Sequence, residues 1–198
     1  LSTLCNDLSS SLGITWTRRE LWDRNYSETR NPEIPSAIIE TLSHQNFEDM
    51  IYGHDPNFKF LLARSIYKAI LRYLSYVHQW DDHVMQPLPV SNFAVTLADD
   101  EQHAILSWSP TPDANNPDAM PTGYIVYTRP HGGAFDNGTY IEGKTTARLP
   151  IHEGVQYDYY VTAVNRGGES FPSETLTACK MPDSRRTVLI VNGFQRLS

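Results

Sequence analysis

The chain has 198 residues, 40% of them hydrophobic and 20% charged, with a net charge of −7. That composition excludes a disordered tail and a collagen-like rod. Both halves are acidic, net −3 over residues 1–87 and −4 over 88–198, which excludes a basic surface for nucleic acid or anionic lipid. No apolar run approaches the roughly 20 residues of a membrane-spanning helix. Two cysteines, Cys5 and Cys179, are too few for a disulfide framework or a structural zinc site of their own, and both are expected as free, buried thiols.

The N-terminus, Leu1-Ser2-Thr3-Leu4-Cys5, has neither the basic nor the apolar region of a signal peptide, so it reads as what a removed leader leaves or as a piece of something longer. Residues 1–12 form a weak helical candidate ending at Gly13. The stretch from Trp16 to Arg30 is dense in aromatics and arginines. Trp16, Arg19, Trp22, Arg24 and Arg30 are candidates to line a saccharide or peptide groove, rings stacking on sugar and guanidiniums pairing with carboxylates. The alternative is a surface loop whose charges pair among themselves.

Residues 34–39 are a short apolar run suited to a strand buried on both faces, as in parallel α/β sheets. Glu40 follows where that strand should end, and in open α/β sheets ligands bind at the carboxyl ends of strands. Glu40 is therefore a candidate general acid/base. It could equally cap the following turn or pair with an arginine. Asp55-Pro56 then opens a long helix, with Asp55 as N-cap and Pro56 at the first helical position. Phe58, Leu62, Ile66, Ile70, Tyr73, Leu74 and Val77 recur at three- and four-residue steps and make one apolar stripe, with Lys68 and Arg72 mostly off it.

The run Pro35-Ser36-Ala37-Ile38-Ile39-Glu40-Thr41, followed by a loop and a long helix through Ala63-Arg64-Ser65-Ile66-Tyr67-Lys68, resembles the C-terminal half of a zinc-dependent N-acetylmuramoyl-L-alanine amidase. The resemblance implies that Glu40 is the glutamate assisting a zinc-bound water in cleaving the amide between muramic acid and the stem peptide. Two departures stand beside it. The loop after Glu40, Leu42-Ser43-His44-Gln45-Asn46-Phe47, differs from the family's, and no histidine precedes Ile34, so the zinc-ligand half is missing. His44, His54, His78 and His83 do not place a ligand pair on one helix face, and no metal ligand is assigned in this chain. Zinc is implied for the parent domain only, and the chain alone is expected to be inactive.

Pro87-Leu88-Pro89 reads as a stiff linker. Beyond it the periodicity shortens to alternating runs at 92–97, 103–108, 123–128, 145–149, 156–164 and 171–178, separated by turn-rich stretches, the pattern of an all-β sandwich. Trp108, the pair Tyr124 and Tyr127, Leu149, and the run from Gly154 to Asn165 followed by Gly167-Gly168-Glu169-Ser170 resemble a fibronectin type III module. The resemblance implies a buried Trp108, Tyr124 and Leu149, and a tyrosine corner at Tyr157 with a buried ring. Such a module is most often a spacer or binding platform, because the fold alone carries no chemistry. After Pro182, Thr187-Val188-Leu189-Ile190-Val191 is a buried-type strand.

The sequence thus predicts a multidomain chain: a partial α/β, amidase-like part over 1–86, an all-β fibronectin type III sandwich over 87–182, and the first strand of a following domain over 183–198. The arrangement resembles bacterial envelope proteins labelled xanthan lyases. The parent is read as a secreted, periplasmic or outer-surface hydrolase of peptidoglycan or another cell-surface polysaccharide, working with its own further domains. The alternative is a non-catalytic adhesion or carbohydrate-binding protein.

Overall fold

The computed structural model describes residues 1–191. The chain divides into two compact units, the first Leu1–Trp80 and the second from Asp81 onward.

The first unit is helical. Helix α1 is Ser2–Leu12 and ends at Gly13, whose left-handed backbone (φ 66°) turns the chain away at no steric cost. A single turn, α2, spans Ser27–Arg30. Helix α3, Phe47–His54, starts where the Asn46 side chain accepts the Glu48 N–H at 3.0 Å. Helix α4, Pro56–His78, starts as the sequence predicts: the Asp55 carboxylate accepts the Asn57 N–H at 2.9 Å, and Pro56 occupies a position whose N–H would have no partner.

Helix α1 packs on α4 through Leu4 and Leu8, one turn apart and buried. Between them Asp7 accepts from Lys68 Nζ at 3.0 Å and Ser65 Oγ at 3.1 Å. One turn further along α4, Arg72 donates to Thr3 Oγ1 at 3.2 Å. The covered face of α4 therefore carries Phe58 and Ser65, with Lys68 at its margin and Arg72 reaching Thr3 from the exposed surface. The apolar stripe the periodicity marks is covered only in its first half: Phe58 is buried and Leu62 and Ile66 are half-buried, whereas Ile70, Tyr73 and Val77 are each about half exposed.

Residues 34–39 are not a strand. Among the described residues of the first unit there are helices and loops only, so the α/β expectation is corrected to a helical unit. The segment is extended but lacks a neighbouring strand, and without a ladder its apolar side chains stay in solvent: Ile34, Ile38 and Ile39 are all exposed.

The second unit is a two-sheet sandwich. Strands β1 (Ser91–Leu97), β2 (His103–Ser109) and β5 (Thr146–Pro150) form an antiparallel sheet in the order β1-β2-β5. The facing sheet runs β4 (Thr139–Glu142), β3 (Gly123–Pro130), β6 (Gln156–Asn165), with β7 (Gly168–Glu169) and β8 (Leu176–Cys179) both pairing β6. Alternate residues of the two inner faces make the core: Ala104, Leu106 and Trp108 from one sheet, Tyr124, Val126, Tyr159, Val161 and Ala163 from the other. The Trp108 and Tyr124 rings meet edge to face at 5.3 Å.

Differences from the sequence reading are local. Strands β4 and β7 are additional, and the last strand is confined to Leu176–Cys179 rather than 171–178. Trp108 and Tyr124 are buried as implied, whereas Leu149 and Tyr157 are half-buried at the core margin, and Tyr159 fills the fully buried position. Cys5 and Cys179 are free but only half-buried. Residues 187–191 form no strand and are exposed, Ile190 at 89%. The remainder of the third piece, 192–198, lies outside the described residues.

The chain leading into β1 is part of the sandwich unit and starts upstream of Pro87. Asn165 Nδ2 donates to the Met85 carbonyl at 2.9 Å, and Asn165 Oδ1 accepts from Gly167 N–H at 2.7 Å. Gly167 itself sits so close that a Cβ there would lie 2.2 Å from the Val84 carbonyl oxygen. Met85 and Pro87 are buried in consequence.

Candidate functional site

An open trough in the first unit is lined by residues drawn from α1, the long loop after Gly13, the 36–44 segment and α3. All six side chains nominated from the sequence, Trp16, Arg19, Trp22, Arg24, Arg30 and Glu40, are on its wall. Their surroundings differ, and the differences decide what each can do.

Trp16 is a packing residue as much as a wall residue. Its ring lies 5.4 Å from both Tyr52 and Phe58, which are 5.5 Å from each other, and its backbone N–H donates to Ser9 Oγ at 2.8 Å. This three-ring cluster joins the loop after α1 to α3 and the first turn of α4. Arg30 donates to Asn25 Oδ1 at 2.8 Å across the short helix α2. Trp22 is the exposed aromatic, 58% accessible, with the guanidinium carbons of Arg19 and Arg24 at 4.5 and 5.2 Å from its ring centre.

Glu40 accepts from Arg19 Nη2 at 2.5 Å, and both side chains are 65% exposed. Pairing with an arginine was one of the two alternatives the sequence left open for this residue. The strand that should have carried Glu40 to a sheet edge does not form, so the carboxylate reaches the trough from an extended segment. Below it, Ser43 N–H donates to Asp49 Oδ2 at 2.8 Å, tying the end of that segment to α3. The sequence signal for the pairing was present, since four arginines lie within residues 18–30. Which of them meets Glu40 is a tertiary fact.

Among the described residues no three of His, Cys, Asp or Glu converge as a metal would need.

On the sandwich, a polar cluster around Asp158 that includes His131 carries no signal in the sequence, because its members come from separate strands and a loop. Asp158, its side chain 3% exposed, accepts from Arg129 Nε at 2.9 Å and Thr177 Oγ1 at 2.9 Å and lies 3.0 Å from His131 Nδ1. Burial pushes this carboxyl up, but the hydrogen bonds from Thr177, His131, Arg129 and Gln156 outweigh it and hold it below the usual range. Arg129 also lies 4.4 Å above the Phe135 ring, which meets Tyr160 edge-on at 4.6 Å. Tyr160 stacks on Tyr127 at 4.5 Å. The Tyr127 hydroxyl donates to Glu169 Oε1 at 2.8 Å, and the same oxygen accepts from Thr162 Oγ1 at 2.6 Å. The aromatic patch on the outer sheet face is thus a small satellite core under the β3–β4 loop, its polar atoms used internally.

No family model matches the chain, and no curated protein matches it. The second unit is a two-sheet antiparallel sandwich. Its two-sheet antiparallel layout is of the kind the sequence resemblance implied. Among solved structures the chain is similar to the third fibronectin III domain of human KIAA0343 protein, at 19% identity over 55% of this chain and 93% of that one, TM-score 0.44. It is also similar to a myokine structure, at 17% identity over 49% of this chain and 100% of that one, TM-score 0.41. The twitchin kinase region from C. elegans matches at 24% identity over 52% of this chain and 18% of that one, TM-score 0.43. No helix among the described residues is long and apolar enough to cross a membrane.

Proposed function

We propose that the chain is part of a bacterial envelope protein of the cell-wall amidase type, in which the helical unit contributes a substrate trough and the carboxylate of Glu40, and the sandwich serves as a spacer or binding module. The observation that carries this is the convergence of Trp16, Arg19, Trp22, Arg24, Arg30 and Glu40 on one trough. Exposed indole and guanidinium groups beside a carboxylate suit a sugar bearing a short acidic peptide: the ring stacks on the sugar and the guanidinium takes a carboxylate. The exposed second half of the α4 stripe, Ile70, Tyr73 and Val77, and the unpaired 34–39 segment give further support. Both have the apolar patterning of elements that face a sheet and its layers.

Because the described residues do not fit zinc, no hydrolytic step is assigned to this chain. The second reading, a non-catalytic adhesion or carbohydrate-binding protein, is supported by the sandwich, a scaffold that by itself carries no chemistry. Titration of the isotope-labelled chain with soluble muramoyl-peptide fragments separates the two. Shifts in the Trp22 indole and Arg24 guanidinium signals support the trough, and shifts confined to the sandwich support the binding module. No shift anywhere at millimolar ligand sinks both. Amide hydrolysis by these 198 residues supplied with zinc would overturn the assignment of no metal ligands to them.

A further inference from the structure

Two side chains read from the sequence as groove lining are engaged with protein groups instead. Arg19 donates through Nη2 to Glu40 Oε2 at 2.5 Å, and its Cζ lies 4.5 Å from the centre of the Trp22 ring. A guanidinium is flat and delocalised, so its face can stack on an indole while an N–H in its plane points at a carboxylate. Arg19 uses the face and the edge together.

We infer that Arg19, steadied by Trp22, is a positioning residue for Glu40. The catalytic meaning of this rests on the reading of Glu40 as a general acid/base, while the contact itself does not. An exposed ion pair holds its partners weakly, because water competes and two long side chains must be ordered. A ring that already orders the guanidinium lowers that cost, so the stack and the ion pair reinforce each other. The contact runs through a single carboxylate oxygen. A bidentate fork would occupy both, whereas this arrangement orients Glu40 and leaves its other oxygen to accept or deliver a proton. Arg19 and Glu40 are 21 residues apart, so the same contact fastens the loop after α1 to the extended 34–39 segment, which has no strand ladder to hold it.

Carbodiimide-driven coupling of glycine ethyl ester to the carboxylates of the whole chain, read residue by residue by peptide mass spectrometry, tests this. Arg19→Gln is expected to raise coupling at Glu40 by about two- to fivefold. Trp22→Leu should raise it by a smaller factor, and Arg19→Lys, which keeps the charge but not the flat face, should fall between. Glu20 and Glu33 keep their wild-type coupling in all three. Unchanged coupling at Glu40 in Arg19→Gln overturns the inference, and so does a rise shared by Glu20 and Glu33. No activity is read, so a specific rise at Glu40 in a chain that fails to bind muramoyl peptides would leave the positioning intact and remove only the catalytic reading.

Discussion

Asn165, at the end of β6, donates its side-chain amide to the backbone carbonyl of Met85, 80 residues earlier, in a buried contact of 2.9 Å. This bond fixes the segment before β1 against the turn that follows β6, with Gly167 allowing the approach to Val84. Replacing Asn165 by Ala strands the Met85 carbonyl and the Gly167 N–H in a buried site. The expected loss is about 1–3 kcal/mol, since an orphaned buried polar group forfeits its desolvation cost. Urea unfolding followed by Trp108 fluorescence should show a lower midpoint with an unchanged slope. Asn165→Asp should be worse than Ala, because it puts a buried carboxylate oxygen against the Met85 carbonyl oxygen. An Asp variant as stable as wild type would refute the assignment.

Asp7 and Lys68 hold α1 to α4 with side chains 10% and 15% exposed. Removing one member leaves a mostly buried charge, so Asp7→Ala is expected to cost about 3 kcal/mol. The double variant Asp7→Leu with Lys68→Met should recover to within about 1 kcal/mol of wild type, because a well-packed apolar pair replaces a desolvated ionic one. Helical circular dichroism through a urea series measures all three. With Asp7→Leu and Lys68→Met also measured singly, a double-variant loss equal to the sum of those two losses would show that the pair is not coupled.

Asp158 predicts an acid dependence. Its hydrogen bonds hold the folded carboxyl below the unfolded value of about 3.9. A depressed folded pKa means stability that is present above the unfolded pKa and lost as pH falls through the folded one. The sandwich should therefore hold its urea midpoint down to about pH 5 and lose stability steadily below it. Asp158→Asn should start lower and show a shallower decline between about pH 4 and 2.5. Equal slopes for the two proteins would remove Asp158 as the source.

Tyr127 predicts the alkaline counterpart. Burial, then the hydrogen bond and charge of Glu169, push its hydroxyl up to about 12, and burial raises Tyr159 as well. A raised folded value means stability that is complete below the unfolded pKa of about 10 and lost as pH rises through the folded value. Ultraviolet titration at 295 nm should show a late-titrating group of tyrosines that includes Tyr127 and Tyr159. Glu169→Gln should move one tyrosine out of the late group, and an unchanged titration would show that Glu169 does not hold it.

The sequence legibly marked elements whose determinants are local. Asp55 and Pro56 start α4 because the cap needs only the next two residues, and Gly13 stops α1 for the same kind of reason. Most strands of the sandwich were legible because alternation and turn residues act over a few positions. Glu40 was legible as a carboxylate placed for chemistry, and its partner was not.

What only the tertiary structure decided is everything that depends on what lies across a gap. The periodic stripe of α4 marked an apolar face, yet only its first half is covered, and α1 docks through Leu4, Leu8 and the Asp7–Lys68 pair. Residues 34–39 and 187–191 have strand composition but no strand, since a strand exists only when another chain segment satisfies its N–H and C=O groups. Arg19 with Glu40, Arg129 and Thr177 with Asp158, and Asn165 with Met85 are separated by 21, 29, 19 and 80 positions. By itself the sequence determined where helices begin and strands alternate. Folding selected which polar groups meet, because desolvation makes an unpaired buried group costly and its partner can come from any distance along the chain.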